Sequence, residues 1–154
     1  MTENKIKLLK LSSLATDIKA ESKGELVPVI RWTGLDPDAP FAVTDLPGVK
    51  FFVRSDNYDP YKVARQKLAE DILEKSKASP DARNWDEYSE VEHGRLMVEH
   101  LLLGWEGLDE AYAPEIAMTA LTNPESRTLR QMVIFCARKV GRRKAEFVET
   151  AAKN

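Results

Sequence analysis

The chain has 154 residues, with 25 acidic and 23 basic side chains, a formal net charge of −2 and a single cysteine. That length suits one domain able to bury about 68–70% of the surface of its unfolded form without a disulfide. Near-neutral charge argues against whole-protein attraction to nucleic acid or anionic lipid. No apolar run approaches the ~20 residues that span a bilayer, and Met1 to Ser13 lacks the uninterrupted apolar stretch of a signal peptide.

The first third reads as strands and turns. Glu25 to Trp32 is a β-branched run interrupted by Pro28, which cannot donate to a ladder and so marks an edge strand. Thr33 to Pro40 is a turn-rich loop punctuated by Gly34, Pro37 and Pro40, and Phe41 to Val43 is a second short extended candidate. Leu46-Pro47-Gly48 reads as a turn, with proline fixing φ and glycine accepting the next position. Val49 to Arg54 follows as the clearest strand. A two- or three-stranded antiparallel sheet results, too small to stand without helices.

Asp59-Pro60 opens the helical part, because aspartate caps free amides and proline at the first helical position sacrifices no hydrogen bond. Tyr61, Ala64, Leu68 and Ile72 carry this helix to about Ser76. After a loop from Lys77 to Arg83, Asn84 or Asp86 caps a second helix whose stripe is Tyr88, Val91, Val98, Leu101 and Leu102. Gly104 is expected to end it in a left-handed conformation, with Trp105 anchoring an elbow that runs on through Gly107. Ala113-Pro114 begins a third helix. Asn123-Pro124 begins a fourth, with Leu129, Met132, Val133, Cys136 and Val140 on one face and Gly141 as its stop. Residues beyond Arg142 read as a helical turn or two around Phe147 and Val148, then a fraying end. The expected architecture is α+β: one domain over 1–154, β-rich over 1–57, helical over 58–142, with a partly flexible tail over 143–154.

Charge is unevenly distributed. Glu70 to Glu115 carries thirteen acidic and four basic residues, whereas Glu125 to Lys144 carries one acidic and seven basic. Solvated faces with some pairing between the two segments are the plain reading, and each exposed ion pair contributes only about 0–1 kcal/mol.

The residues offer little for chemistry. His93 and His100 are two helical turns, ~10 Å, apart along the axis and lack the i, i+4 spacing of a helical zinc site. Asp36, Asp38, Asp109 and Glu110 show no calcium-loop spacing. Gly104 and Gly107 follow a helix, whereas phosphate loops follow a strand. Cys136 sits between apolar neighbours that keep a thiol neutral, and a lone cysteine forms no internal bridge. No catalytic residue, metal ligand or cofactor is therefore expected. The basic run Arg138-Lys139 and Arg142-Arg143-Lys144 is short and lacks the interleaved aromatics of a nucleic-acid site. Partner binding is instead expected at Trp85, an aromatic in a polar setting, and at Arg138, Arg142 and Arg143.

One set of residues resembles a known family. Pro47-Gly48-Val49-Lys50-Phe51-Phe52-Val53-Arg54-Ser55, then Asn57-Tyr58-Asp59-Pro60-Tyr61, then Leu103-Gly104-Trp105-Glu106-Gly107-Leu108, then Tyr112-Ala113-Pro114-Glu115, is similar to the motif order of the tail assembly chaperones of long-tailed phages and prophages. The likeness covers about residues 45–140, with Gly48, Pro60, Gly104, Trp105, Gly107 and Pro114 as its structural points. It implies a non-enzymatic protein of the host bacterial cytoplasm that binds the tape measure protein and assists polymerisation of the tail tube protein. It also implies many weak copies acting together, possible homo-oligomers, and in some members a longer frameshifted form, for which Ala152-Lys153-Asn154 is a candidate point. The alternatives are a structural tail or head–tail connector component that stays in the particle and, from another class, a nucleic-acid-binding regulator using Arg138 to Lys144.

Overall fold

Residues 5–80 and 85–151 are described by the computed structural model. At their centre lies an antiparallel sheet in the order β2-β3-β4, formed by Glu25–Thr33 (β2), Val43–Val53 (β3) and Leu102–Glu106 (β4). Helices cover it, giving the α+β class that the sequence implies. Asn84, one of the two expected caps of the second helix, and Ala152-Lys153-Asn154 lie outside the described residues.

β2 is an edge strand, as Pro28 requires. Val27 and Val29 point into the core, and strict alternation would next turn Arg31 inward. A bulge prevents this. Arg31 takes φ 59°, the one positive φ among the described non-glycine residues, and its amide N–H donates to Asp45 Oδ1 at 2.8 Å. The added residue shifts the parity of the strand, so that Trp32 is buried instead.

On β3 the expected turn at Leu46-Pro47-Gly48 does not reverse the chain. Val29 faces Leu46 while Pro28 faces Lys50, so Pro47, Gly48 and Val49 form an outward excursion within one continuous strand. Proline and glycine mark the bulge, a use of the same residue types that local sequence does not separate from a turn. Phe41, expected to be extended, belongs to the loop before β3 and is 91% exposed.

The first long helix, α2 (Asp59–Ala78), starts where expected and runs slightly further. Tyr58 rather than Asp59 holds the cap position. Asp59 sits in the first turn, where its charge meets the positive end of the helix, and Pro60 fits beside it. Tyr61 is fully buried.

The next segment departs most from expectation. α3 (Trp85–Leu96) gives way to a single π-helical turn, Met97–Leu101, and the chain is extended from Leu102 as β4. Gly104 therefore does not end a helix; it is a strand residue opposite Phe52. The left-handed position belongs to Gly107, at φ 85°, where a Cβ would overlap the carbonyl oxygen of Gly48. A run of three leucines fits a buried helix or a buried strand equally well, and pairing with β3 decides between them.

α4 (Pro114–Leu121) begins at its proline as the sequence indicates, whereas α5 (Arg127–Ala137) begins later than Asn123-Pro124. Asn123 Oδ1 accepts from the Glu125 amide at 2.9 Å, holding the intervening residues in a turn. Met132, Val133, Cys136, Ala137 and Val140 enter the core beside Val29, Phe51, Val53, Leu101 and Leu121. α5 ends at Ala137, before the expected stop at Gly141; Arg138 caps it, and Gly141, with φ 80°, closes the run of turns that follows.

The two ends of the chain also differ from expectation. Phe147–Ala151 is a strand (β5) rather than helical turns, and it pairs antiparallel with Lys5–Leu9 (β1). Phe147, Val148 and Thr150 suit a pleat better than a helix, but their partner lies more than 130 residues away. Ser13 Oγ, accepting from the Glu146 amide at 3.0 Å, ties this ribbon to the body. A short helix, α1 (Ile18–Lys23), precedes β2 and is capped by Asp17 Oδ1, which accepts from the Ala20 amide at 3.1 Å.

Candidate functional site

α5 has two working faces. One supplies the core; the other presents Arg127, Gln131, Ile134 and Arg138, spaced four, three and four residues apart, which places them in one stripe. Across from this stripe stand Ser89, Glu90, His93 and Met97 of α3 and its π turn, with Tyr61 and Arg65 of α2. Together with Trp32, Thr33, Arg130 and Phe135 they line a groove of about 670 Å³.

Positive charge dominates the groove. Four guanidinium groups line it, at Arg65, Arg127, Arg130 and Arg138, against the single carboxylate of Glu90. That carboxylate is shared: Arg127 Nε donates to Oε1 at 2.9 Å, and the Arg130 guanidinium lies 3.5 Å from Oε2. These pairs join the acidic middle of the chain to its basic end, as the uneven charge suggests.

Arg130 is 5% exposed and structural in its geometry. Its guanidinium donates to the carbonyl oxygens of Leu121 at 3.0 Å, Asn123 at 2.6 Å and Pro124 at 3.3 Å. It thereby satisfies carbonyls at the end of α4 that no helical amide reaches. Gly94 makes the arrangement possible, since a Cβ there would overlap the Leu121 carbonyl oxygen and lie 3.3 Å from Arg130 Cδ.

Arg65 and Arg138 are the more available cations. The Arg65 guanidinium lies 5.4 Å from the centre of the Tyr61 ring. Arg138 Nε is 3.7 Å from Asp56 Oδ2, with the arginine side chain two-thirds exposed. Aromatic groups share the groove: Phe135 meets Trp32 edge to face at 5.3 Å, and Lys139 Nζ stands 4.0 Å from the centre of the Phe135 ring. Trp32 is 9% exposed, and its indole Nε1–H is buried with no hydrogen-bond partner among the described residues. Such a donor costs about 1–3 kcal/mol.

The residues singled out from sequence fall in several places. Arg138 lines the groove and also a neighbouring hollow of about 420 Å³, shared with Arg142, Asp56 and Glu21. Arg143 is exposed and lines neither. Trp85 lines neither and is half-buried at the start of α3, its Nε1–H donating to the Ser79 carbonyl at 3.3 Å and its ring edge-on to Tyr88 at 5.6 Å. Sequence reasoning missed Arg65, Glu90, Arg127 and Phe135. The second stripe of α5 was the available signal, obscured by the stronger apolar one.

The motif residues gather around the sheet. Phe51 pairs with Trp105 across β3 and β4, Phe52 with Gly104, and Gly107 packs on Gly48. Trp105 is half-buried, meets Tyr112 edge to face at 5.1 Å and donates from Nε1 to the Glu110 carbonyl at 2.8 Å. Pro60 and Pro114 open α2 and α4. These residues thus stabilise the scaffold that carries the groove walls.

The remaining reactive groups are each held by their own local partners, His93 on the groove wall among them. Cys136 is buried with Sγ 3.8 Å from the Val27 carbonyl oxygen, and burial pushes its thiol up to about 11. His93 Nδ1 is 2.7 Å from the Ser89 carbonyl oxygen, and His100 Nε2 is 4.0 Å from Glu99. Among the described residues no three His, Cys, Asp or Glu side chains gather as a metal site requires, and no helix is long and apolar enough to cross a membrane.

A family model described as YdaY prophage protein matches residues 56–154, a span that contains all of the groove except the Trp32-Thr33 corner. No curated protein and no solved structure matches the chain.

Proposed function

Since the chain belongs to the YdaY prophage protein family, we propose that it acts in phage tail morphogenesis as a non-enzymatic assembly chaperone. In this reading it binds the tape measure protein in the host bacterial cytoplasm and assists assembly of the tail tube around it. The observation that carries the reading is the groove walled by α2, α3 and α5. It is open to solvent and lined by apolar and aromatic groups together with four arginines, and so fits a segment of protein better than a small molecule. A long helical partner held by many copies needs only modest affinity at each site.

The test is co-expression with the tape measure protein of the same prophage. The chain should raise the soluble fraction of that protein and co-purify with it. Reversal of charge at Arg65 and Arg138 together should abolish both effects while leaving thermal unfolding unchanged. Absence of co-purification with the native sequence, under conditions where both proteins are soluble, would refute the proposal. Mass spectrometry of purified particles distinguishes a chaperone, which is missing from them, from a structural tail or connector component, which is present in stoichiometric amount.

A further inference from the structure

We propose that the groove accepts an acidic amphipathic helix, its carboxylates set against Arg65 and Arg138 and its apolar edge against Trp32, Ile134 and Phe135. This rests on the groove being the partner site of the proposed chaperone and specifies what that partner presents.

Charge complementarity selects the sign. Of the four arginines, Arg130 is committed to three backbone carbonyls and Arg127 to Glu90. Arg65 and Arg138 remain, and the Arg138–Asp56 pair is long, 3.7 Å, with its arginine two-thirds exposed, so an incoming carboxylate can share that guanidinium. Arginine also suits the role because its planar fork binds carboxylates bidentately. A polyphosphate chain fits less well: the Glu90 carboxylate lies in the same groove, and Trp32, Met97, Ile134 and Phe135 give its lining apolar surface that phosphates do not use.

Dimensions select a helix bound by one face. From Arg127 to Arg138 the α5 stripe runs eleven residues, or ~16 Å at 1.5 Å per residue, about three turns of an occupant. A helix of that length and ~10 Å diameter fills roughly 1,250 Å³, about twice the 670 Å³ of the groove. One side enters and the other stays in water, which is the condition for an amphipathic sequence.

The probes are a labelled synthetic peptide of about eighteen residues, ~27 Å as a helix, with a leucine stripe flanked by glutamates, its counterpart with lysine for every glutamate, and a single-stranded DNA oligonucleotide. Binding to the full chain is read by fluorescence anisotropy. The glutamate peptide should bind at least about tenfold tighter than the lysine peptide, and its affinity should fall at least about tenfold in the Arg65→Glu/Arg138→Glu variant. Both arginines are exposed, and circular dichroism checks that the variant remains folded. Equal affinity for the two peptides, tighter binding of the DNA, or binding unchanged in the double variant would overturn the inference. If the chain keeps the tape measure protein soluble but the glutamate peptide neither binds nor competes, this inference fails and the chaperone reading stands. If the peptide binds in the groove and the tape measure protein does not bind at all, the chaperone reading fails instead.

Discussion

Replacing Gly94 with alanine sets two effects of opposite sign against each other. In an exposed helix interior the change adds roughly 0.8–1 kcal/mol of stability through helix propensity. At this position, however, the new methyl would overlap the Leu121 carbonyl oxygen and lie 2.7 Å from its carbon, so the obstacle is backbone rather than a movable side chain. α3 and α4 must separate by ~1 Å or more, a form of overpacking that costs about 1–3 kcal/mol, and the strained Arg130–Leu121 bond forfeits a further ~1.5 kcal/mol or so. The net expectation is destabilisation of roughly 2–4 kcal/mol, or a fall in Tm of about 5–12 °C for a chain of this size. Urea unfolding of both proteins, monitored by circular dichroism, gives the difference from the midpoint at constant slope. A variant as stable as the parent, or more stable, would refute the tight crossing of α3 on α4 and the role given to Arg130.

Other outcomes follow from the same geometry. Arg130→Met should destabilise by about 2–4 kcal/mol because it removes the guanidinium donor from the carbonyls of Leu121, Asn123 and Pro124, of which Asn123 alone keeps a second donor, the Ser126 amide; a urea midpoint within error of the parent contradicts that account. Trp105→Ala should cost about 1.5–3 kcal/mol, less than the 3–5 kcal/mol of a fully buried ring, with loss of the near-ultraviolet signal from its contact with Tyr112. For Cys136, the folded state holds the thiol proton up to about 11, above the ordinary 9.0. The folded state therefore binds more protons than the unfolded state between those values. Stability should be unaffected by this group below pH 9 and should decline as pH rises towards 11, by up to roughly 2–3 kcal/mol. Cys136→Ala should remove that component of the decline, and a thiol reagent at pH 8 should label the native protein only after urea is added.

Much of the scaffold was legible in the sequence because local chemistry specifies it. Pro28 placed β2 at an edge, Pro60 and Pro114 opened their helices, and the apolar stripe of α5 identified the core residues from Met132 to Val140. Gly141 does take the left-handed conformation expected of it, but α5 already ends at Ala137, so it closes the following turn rather than the helix. Each of these depends on one residue's own φ, missing donor or periodic neighbours, and so needs no knowledge of the rest of the chain.

Tertiary structure alone decided the remainder. Leu101-Leu102-Leu103 suits helix or strand, and the open edge of β3 turned it into β4; the same pairing moved the left-handed glycine from Gly104 to Gly107. Phe147–Ala151 became a strand only because Lys5–Leu9 lies beside it. The groove is the extreme case. Trp32 reaches it through a bulge, Arg65 and Glu90 from separate helices, and Arg138 from the end of α5. No sequence window contains them together, because the proximity that makes them a site is produced by packing of elements distant along the chain.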